Sequence, residues 1–136
     1  MYLRSQVKFH SAKFPAYPNE EEKVNPNLWG KRLAEYIRGK LESEGIKTGE
    51  IYSEDWGWAV PVEHPLVSVW IGCGHDQEYI DGYFVFIEPS KPIVKKYFFK
   101  KIDMSAVIIR LADVLDKVLS SDPEIHGLCW YNKDEN

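Results

Sequence analysis

The sequence predicts an α+β fold in which a mainly antiparallel sheet packs against two long helices. Two apolar stripes at helical spacing indicate the helices, and several short alternating or aromatic-rich stretches indicate the strands. The connections between the central strands are too short for a parallel crossover, so these strands should form an antiparallel meander. With 136 residues, we expect one α+β domain, residues 1–136, around a single core.

Composition narrows the class of protein. A hydrophobic content of 44% and an aromatic content of 14% are typical of a folded chain. The formal net charge of −4 argues against a nucleic-acid partner. No apolar run approaches the ~20 residues of a membrane span, and the N-terminus lacks the apolar region of a signal peptide. We therefore expect a cytoplasmic protein that does not contact membranes.

Six stretches carry strand signals. The first, Leu3 to Phe9, alternates apolar and polar residues. The others are expected over Thr48–Ser53, Trp56–Val62, Leu66–Gly72, Tyr79–Ile87 and Ile125–Tyr131. Apolar residues fall on both faces of Tyr83–Ile87, which predicts a central strand covered at least partly on both sides. Prolines break the sheet after it, and Lys91–Lys101 fits either a helix or a strand.

The first helix is marked at both ends. Asn25 is a typical N-cap, and Pro26 suits the first helical position because its missing N–H is not needed there. Apolar residues at helical spacing continue to about Glu44, and Gly45 should end the helix. Gly39 lies inside the helix and weakens it, so it is expected to mark a close approach to another element.

The second helix carries the clearest pattern in the chain. Asp103 or Ser105 can cap it, and an unbroken apolar stripe runs from Met104 to Leu119. The proline-containing segment His10 to Val24 is predicted to be a loop with an acidic tip at Glu20-Glu21-Glu22. The tail Asn132 to Asn136 is expected to fray.

The most distinctive segment is Tyr52–Trp58, which sets two carboxylates and two indoles around a glycine. In a strand, Trp56-Gly57-Trp58 would send both indoles to the same face, since side chains alternate with period two. Adjacent acids diverge in an extended chain, so Glu54 and Asp55 cannot form the facing pair of a glycoside hydrolase. Where such residues are exposed, they commonly bind ligands or basic partners. Otherwise the carboxylates cap turns and the indoles fill the core. The predicted ligand- or partner-binding residues are Glu54, Asp55, Trp56 and Trp58.

A second constellation lies around Cys73-Gly74-His75-Asp76. It places a thiol, an imidazole and a carboxylate within four residues, which is the chemistry of a metal or thiolate–imidazole site. Cys73 and Cys129 lack the paired spacing of a zinc or redox motif, and the standard phosphate-loop, nucleophile-elbow and metalloprotease motifs are absent. No catalytic residue, metal or cofactor is predicted. A small metal-assisted or thiol-dependent hydrolase near Asp55, Glu54, Cys73 and His75 stays open as an alternative.

Three segments carry a family resemblance: Asn25-Pro26 with Trp29–Glu35, Glu54–Trp58, and Trp70–Gly74. Together they resemble a family of small bacterial proteins of unassigned function, with Asp-Trp-Gly-Trp as the most specific element. The resemblance covers most of the chain. It implies a bacterial cytosolic origin and a single-domain α+β fold, and it carries over no activity.

The leading hypothesis is a non-enzymatic binding or protein-interaction domain. Its surface would combine Glu54, Asp55, Trp56 and Trp58 with the acidic loop Glu20–Glu22, which suits a basic protein partner. A structural homodimer formed through a helix face is a further hypothesis.

Overall fold

The computed structural model describes residues 3–96 and 100–133 of the chain. In chain order its elements are β1 (Gln6–Ser11), a 3₁₀ turn (Glu20–Glu22), α1 (Lys31–Ser43), β2 (Tyr52–Glu54), β3 (Gly57–Val62), β4 (Val69–His75), β5 (Gly82–Glu88), β6 (Ile93–Lys96), β7 (Lys100–Asp103), α2 (Ser105–Ser120) and β8 (Ile125–Tyr131). The predicted α+β class with a mainly antiparallel sheet is confirmed. None of the helices in the described ranges is long and apolar enough to cross a membrane.

Six strands form the main sheet, in the order β2-β3-β4-β5-β1-β8. Every neighbouring pair is antiparallel. Strands β2 to β5 follow one another in space as they do in sequence, but β1 then pairs with β5 on one side and β8 on the other. The first strand therefore lies inside the sheet and the last lies at its edge. Strands β6 and β7 form a separate hairpin.

Both helices pack on the same face of the main sheet. Their apolar stripes enter one core together with the inward-facing strand residues; its members include Leu33, Ile37, Leu41, Ile108, Leu115, Val7, Phe9, Val60, Ile71, Val85 and Ile87. Helix α1 lies against β3 and β4, and α2 lies against β5 and β8. The opposite face carries neither α1 nor α2, and we call it the open face. On β5 it presents Phe84 and Phe86, which other aromatic side chains cover.

The start of the first helix differs from the prediction. Helix α1 begins at Lys31, with Gly30 as its N-cap, because the capping carboxylate comes from Glu20 in the preceding loop. Asn25 instead donates a hydrogen bond from Nδ2 to the carbonyl of Asp55 at 2.8 Å. The helix ends close to the predicted position, and Gly45 follows it with φ +82°.

The sequence predicts that Gly39, inside this helix, marks a close approach to another element. A Cβ added at Gly39 would meet no atom within 4 Å, and the residue is exposed. The predicted close approach to another element is therefore wrong.

Several strand boundaries also shift. Strands β4 and β5 begin three residues later than predicted, because local turns occupy the preceding residues. His64 Nδ1 accepts the N–H groups of Leu66 and Val67, and Asp76 Oδ1 accepts the N–H of Glu78. Strand β8 matches its predicted range.

The two ambiguous segments of the C-terminal half resolve differently. Within Lys91–Lys101, β6 covers Ile93–Lys96 and β7 begins at Lys100, whereas residues 97–99 lie outside the described ranges. Of the tail predicted to fray, Asn132 is buried and the Lys133 N–H donates to Ser5 Oγ at 2.8 Å. Residues 134–136 lie outside the described ranges.

Candidate functional site

One end of the main sheet gathers the loops that carry the predicted site. Register pairs join His10 with Gly82, His75 with Tyr83, Cys73 with Trp58, and Gly57 with Glu54. Four connecting segments lie beyond these pairs, at the same end of the sheet: residues 12–30, 55–56, 76–81 and 121–124. We call this end of the sheet the loop end.

The Asp-Trp-Gly-Trp segment is a tight hairpin rather than a continuous strand. Glu54 pairs with Gly57, which leaves Asp55 and Trp56 as the two turn residues. A Cβ at Gly57 would lie 2.5 Å from the carbonyl oxygen of Cys73, so the close approach of these strands requires glycine. Because Trp56 belongs to the turn, strand alternation does not apply to it. The prediction that both indoles share one face is wrong.

Trp58 points into the core and is bonded to Glu20. The Trp58 side chain is 6% exposed, and its Nε1 donates to Glu20 Oε2 at 2.9 Å. The same oxygen accepts the N–H groups of Gly30 and Lys31 at 2.7 and 2.9 Å, and Oε1 accepts the N–H of Tyr17. Glu20 is itself only 4% exposed. Trp58 and Glu20 are thus buried and bonded to each other, and they hold the loop end together. Their assignment to a binding surface stays a prediction.

Trp56 lies on the open face, within a cluster of four aromatic rings. Its ring centroid is 5.0 Å from that of Phe86, 5.9 Å from Trp70 and 6.3 Å from Phe84. We call these four residues the aromatic cluster. All but Phe86 are partly exposed, so the cluster covers the sheet and also presents ring surface to solvent.

The cluster is accommodated by two glycines of β4. The rings of Phe84 and Phe86 occupy the space that Cβ atoms at Gly74 and Gly72 would take, 2.3 Å away in each case. Beside the rings runs a groove of about 500 Å³ on the open face, whose lining includes Lys8. The glycines therefore allow β5 to lay its aromatic side chains flat across the neighbouring strand.

Four exposed carboxylates lie on neighbouring loops at the loop end. Glu21 and Glu22 belong to the 3₁₀ turn, and Glu54 and Asp55 belong to the hairpin. Within the described ranges, none of the four forms an ion pair. The hydrogen bond from Asn25 to the Asp55 carbonyl joins the two loops. The structure thus brings together the two acidic segments that the sequence singled out.

The loop end as a whole is acidic. Its segments and the hairpin hold ten acidic residues: Glu20, Glu21, Glu22, Glu54, Asp55, Asp76, Glu78, Asp81, Asp122 and Glu124. The same segments contain only two lysines, Lys13 and Lys23. Lys13 is held by Asp122, with Nζ 2.6 Å from Oδ2. The first turn of α1 adds Lys31 and Arg32, which leaves a clear excess of negative charge.

Neighbouring groups stabilise the ionised form of Asp122. Burial alone would raise the pKa of its carboxyl group, but hydrogen bonds from Lys13, the Glu124 N–H and the Tyr36 hydroxyl outweigh burial and lower the pKa to about 2. Burial and the bond to Asp122 in turn raise the pKa of Tyr36. Asp122 is therefore charged at neutral pH and offsets Lys13.

Cys73 and His75 both point into the protein interior. Burial raises the pKa of the Cys73 thiol, which suppresses the thiolate that nucleophilic attack requires. The His75 ring nitrogens lie 2.8 Å from the carbonyl oxygen of Asn27 and 3.1 Å from that of Ile80. Its ring stacks on Trp29 with centroids 3.6 Å apart. The imidazole thus connects residues 12–30 with residues 76–81.

The residues of the alternative hydrolase site differ in their exposure. The Asp55 side chain is exposed at the hairpin tip, whereas Cys73 and His75 are buried residues of β4. Among the residues that the structure describes, no group of three or more His, Cys, Asp or Glu side chains is placed to hold a metal ion.

Sequence reasoning missed the residues that organise this end. Glu20 looked like one of three equivalent surface acids, and His75 looked like a reactive group in a turn. The sequence pattern predicts Ile80 in a strand, but Ile80 lies in a loop and is 88% exposed. The sequence Tyr79-Ile80-Asp81-Gly82 contains a turn signal in Asp81-Gly82 that places Ile80 outside the strand.

Comparison of the chain with protein-family models, curated proteins and solved structures finds no match. The resemblance to a family of small bacterial proteins therefore stays a prediction.

Proposed function

We propose that this chain is a non-enzymatic binding domain that docks a basic protein partner on the loop end of its sheet. The observation that carries the proposal is the set of four exposed carboxylates, Glu21, Glu22, Glu54 and Asp55, on two joined loops. Their charge is not offset by ion pairs within the described residues, so it is available to steer and orient a cationic partner.

Buried side chains hold the loops that carry these charges in place, which favours binding. Glu20 and Trp58 fix residues 17–31 to β3, and His75 fixes residues 27 and 80. A surface that is already in place loses little conformational entropy when it binds. Trp58 thus supports the proposed site by holding these loops in place from within the core, and not by contact with the partner.

Trp56 extends the proposed surface from charge to aromatic contact. It directly follows Asp55 in the turn, and its partly exposed ring belongs to the aromatic cluster. Binding interfaces commonly combine an aromatic centre with a polar, charged rim. Asp55 and Trp56 together supply both kinds of contact.

The two alternative hypotheses gain less support. Cys73 is a buried thiol with a raised pKa, and both nitrogens of His75 face backbone carbonyls, so neither observation adds support for hydrolysis. A homodimer through a helix face would need an apolar patch, and Ile109 on α2 is the one large apolar helix residue among those described that is strongly exposed.

Affinity capture from a lysate of the source organism tests the proposal. The baits are the wild type, Glu54→Lys/Asp55→Lys at the loop end, and the matched control Glu50→Lys/Glu63→Lys, which makes the same charge change at exposed positions toward the other end. We expect a basic protein to be retained by the wild type and the control, lost by the loop-end variant, and released by salt. Equal retention by all three folded baits would refute the assignment.

A further inference from the structure

An apolar pocket of about 410 Å³ opens at the loop end, between residues 12–30 and residues 76–81. Its lining includes the apolar or aromatic side chains of Trp29, Tyr83, Pro15, Ala16 and Ile80. Trp29 is fixed there because its Nε1 donates to the Phe14 carbonyl and the Tyr83 hydroxyl. The pocket is therefore formed before any partner arrives.

Ile80 is the most exposed large apolar residue among those described, at 88%. Its position follows from local bonds: its own carbonyl faces His75 Nε2, and the turn is closed by bonds from Tyr79 N–H to the Asp76 carbonyl and from Gly82 N–H to the Tyr79 carbonyl. The loop thus holds an isoleucine side chain in solvent beside an apolar pocket. Because Ile80 also lines the pocket, the two form one contiguous apolar surface, and contiguous apolar surface with a polar rim marks interaction sites.

The rim of the pocket is negatively charged. Its lining includes the carboxylates of Glu21 and Asp81. Asp81 is bonded to His10 Nδ1 at 2.9 Å, whereas Glu21 is exposed and forms no ion pair within the described residues. An apolar base with an acidic rim complements a side chain that has an aliphatic stem and a cationic end.

We propose that this pocket receives an arginine or lysine side chain from the basic protein partner. The methylene stem lies against Ile80 and Ala16, and the charged group meets the Glu21 carboxylate. Long cationic side chains bury their stems in this way while their charge stays near polar groups. The inference rests on the proposed function, since it names the contact that a basic partner makes at the loop end.

The test uses nuclear magnetic resonance titration of the ¹⁵N-labelled full chain. The probe is a short glycine-serine peptide with one central arginine, and the control peptide carries neutral citrulline at that position. We expect the arginine peptide to shift the indole N–H signal of Trp29 and the backbone amide signal of Ile80. The citrulline peptide should bind about threefold more weakly, which is the usual effect of one exposed charge pair.

Two isoleucine variants distinguish binding in the pocket from nonspecific apolar binding. Ile80→Ser should weaken arginine-peptide binding by about fivefold, because the variant removes a central apolar contact. Ile109→Ser is the matched control, since Ile109 is also exposed but lies on α2. It should leave binding unchanged. Both variants alter surface residues, so their spectra should otherwise match the wild type.

Three results would overturn the pocket assignment. Shifts limited to Glu54 and Asp55 would leave the proposed function standing while removing the pocket from it. No shift of the Trp29 indole with millimolar arginine peptide, or with the same peptide carrying lysine, would remove a cationic side chain as the occupant. Self-association of the wild type that Ile80→Ser abolishes would assign the pocket to a second copy of this chain instead.

Discussion

At the scale of single residues, Glu20 decides how the loop end folds. One oxygen of its carboxylate accepts three N–H groups, from Gly30, Lys31 and the Trp58 indole. It therefore caps α1 from ten residues upstream and fixes the hairpin that carries Asp55. Glu20 could not be distinguished from Glu21 and Glu22 by sequence, because burial of one acid in a run depends on contacts distant in the chain.

Replacing Glu20 by alanine should lower the free energy of unfolding by about 2–3 kcal/mol. The variant leaves buried N–H donors of Gly30 and Trp58 without an acceptor, and it removes the helix cap. Denaturation by urea measures the loss. The matched control is Glu22→Ala in the same turn, whose exposed side chain should change stability by no more than about 0.5 kcal/mol. Equal effects of the two variants would contradict the capping role.

Asp122 gives the loop end a dependence on pH. Its pKa is lowered from 3.8 to about 2 in the folded chain, so its ionised form stabilises the fold above about pH 4, and this stabilisation is lost as the pH falls toward 2. Asp122→Asn should cost about 1 kcal/mol at neutral pH, a value reduced for screening by nearby water. The difference from the wild type should shrink toward zero at about pH 2.

Urea unfolding at several pH values between about 2 and 7 checks this expectation. Asp55→Asn is the control, because Asp55 is exposed and forms no ion pair within the described ranges. A stability difference for Asp122→Asn that does not change with pH would show that the ionised carboxylate is not the stabilising form.

At the scale of elements, local signals predicted some elements well and left others open. Strand β8, most of α2 and the end of α1 at Gly45 follow from patterns within a few residues. The start of α1 does not, because its cap is supplied by Glu20. The place of β1 between β5 and β8 depends on pairing partners far apart in the chain, which no local pattern encodes.

The hairpin shows the same limit at the candidate site. The sequence identified Asp55 and Trp56 correctly as neighbours of a special glycine, but it treated Trp56-Gly57-Trp58 as one strand. The two-residue turn sends Trp56 to the open face and Trp58 to the core. Because Trp56 lies in the turn, its indole is on the opposite side of the sheet from that of Trp58, although strand alternation would place both on one face.

Two glycine replacements should change stability in opposite directions. Gly72→Ala places a Cβ 2.3 Å from the Phe86 ring, which Trp56 and Trp70 confine, so we expect a loss of about 1–3 kcal/mol. Gly39→Ala meets no atom within 4 Å in an exposed stretch of α1, so we expect a gain of about 0.5–1 kcal/mol. Thermal and urea unfolding measure both. A stabilising Gly72→Ala would show that the aromatic cluster does not lie across β4 as described.

At the scale of the whole molecule, the net charge of −4 conceals an uneven distribution. Ten acidic residues lie at the loop end, whereas the β6–β7 hairpin carries Lys95, Lys96, Lys100 and Lys101. Lys96 donates a hydrogen bond to the carbonyl of Leu66, which places this hairpin beside the β3–β4 connection, at the other end of the sheet. Composition gave the sign of the charge, but only the fold shows where it concentrates.

Fluorescence anisotropy shows whether a basic partner binds the acidic loop end. A labelled arginine-rich peptide is titrated with the wild type, Glu54→Lys/Asp55→Lys and Glu50→Lys/Glu63→Lys at low and at physiological salt. We predict salt-sensitive binding by the wild type and the control, and binding at least about fivefold weaker by the loop-end variant. Binding that is the same for all three proteins, or that salt does not weaken, would show that the acidic loop end does not bind a basic partner.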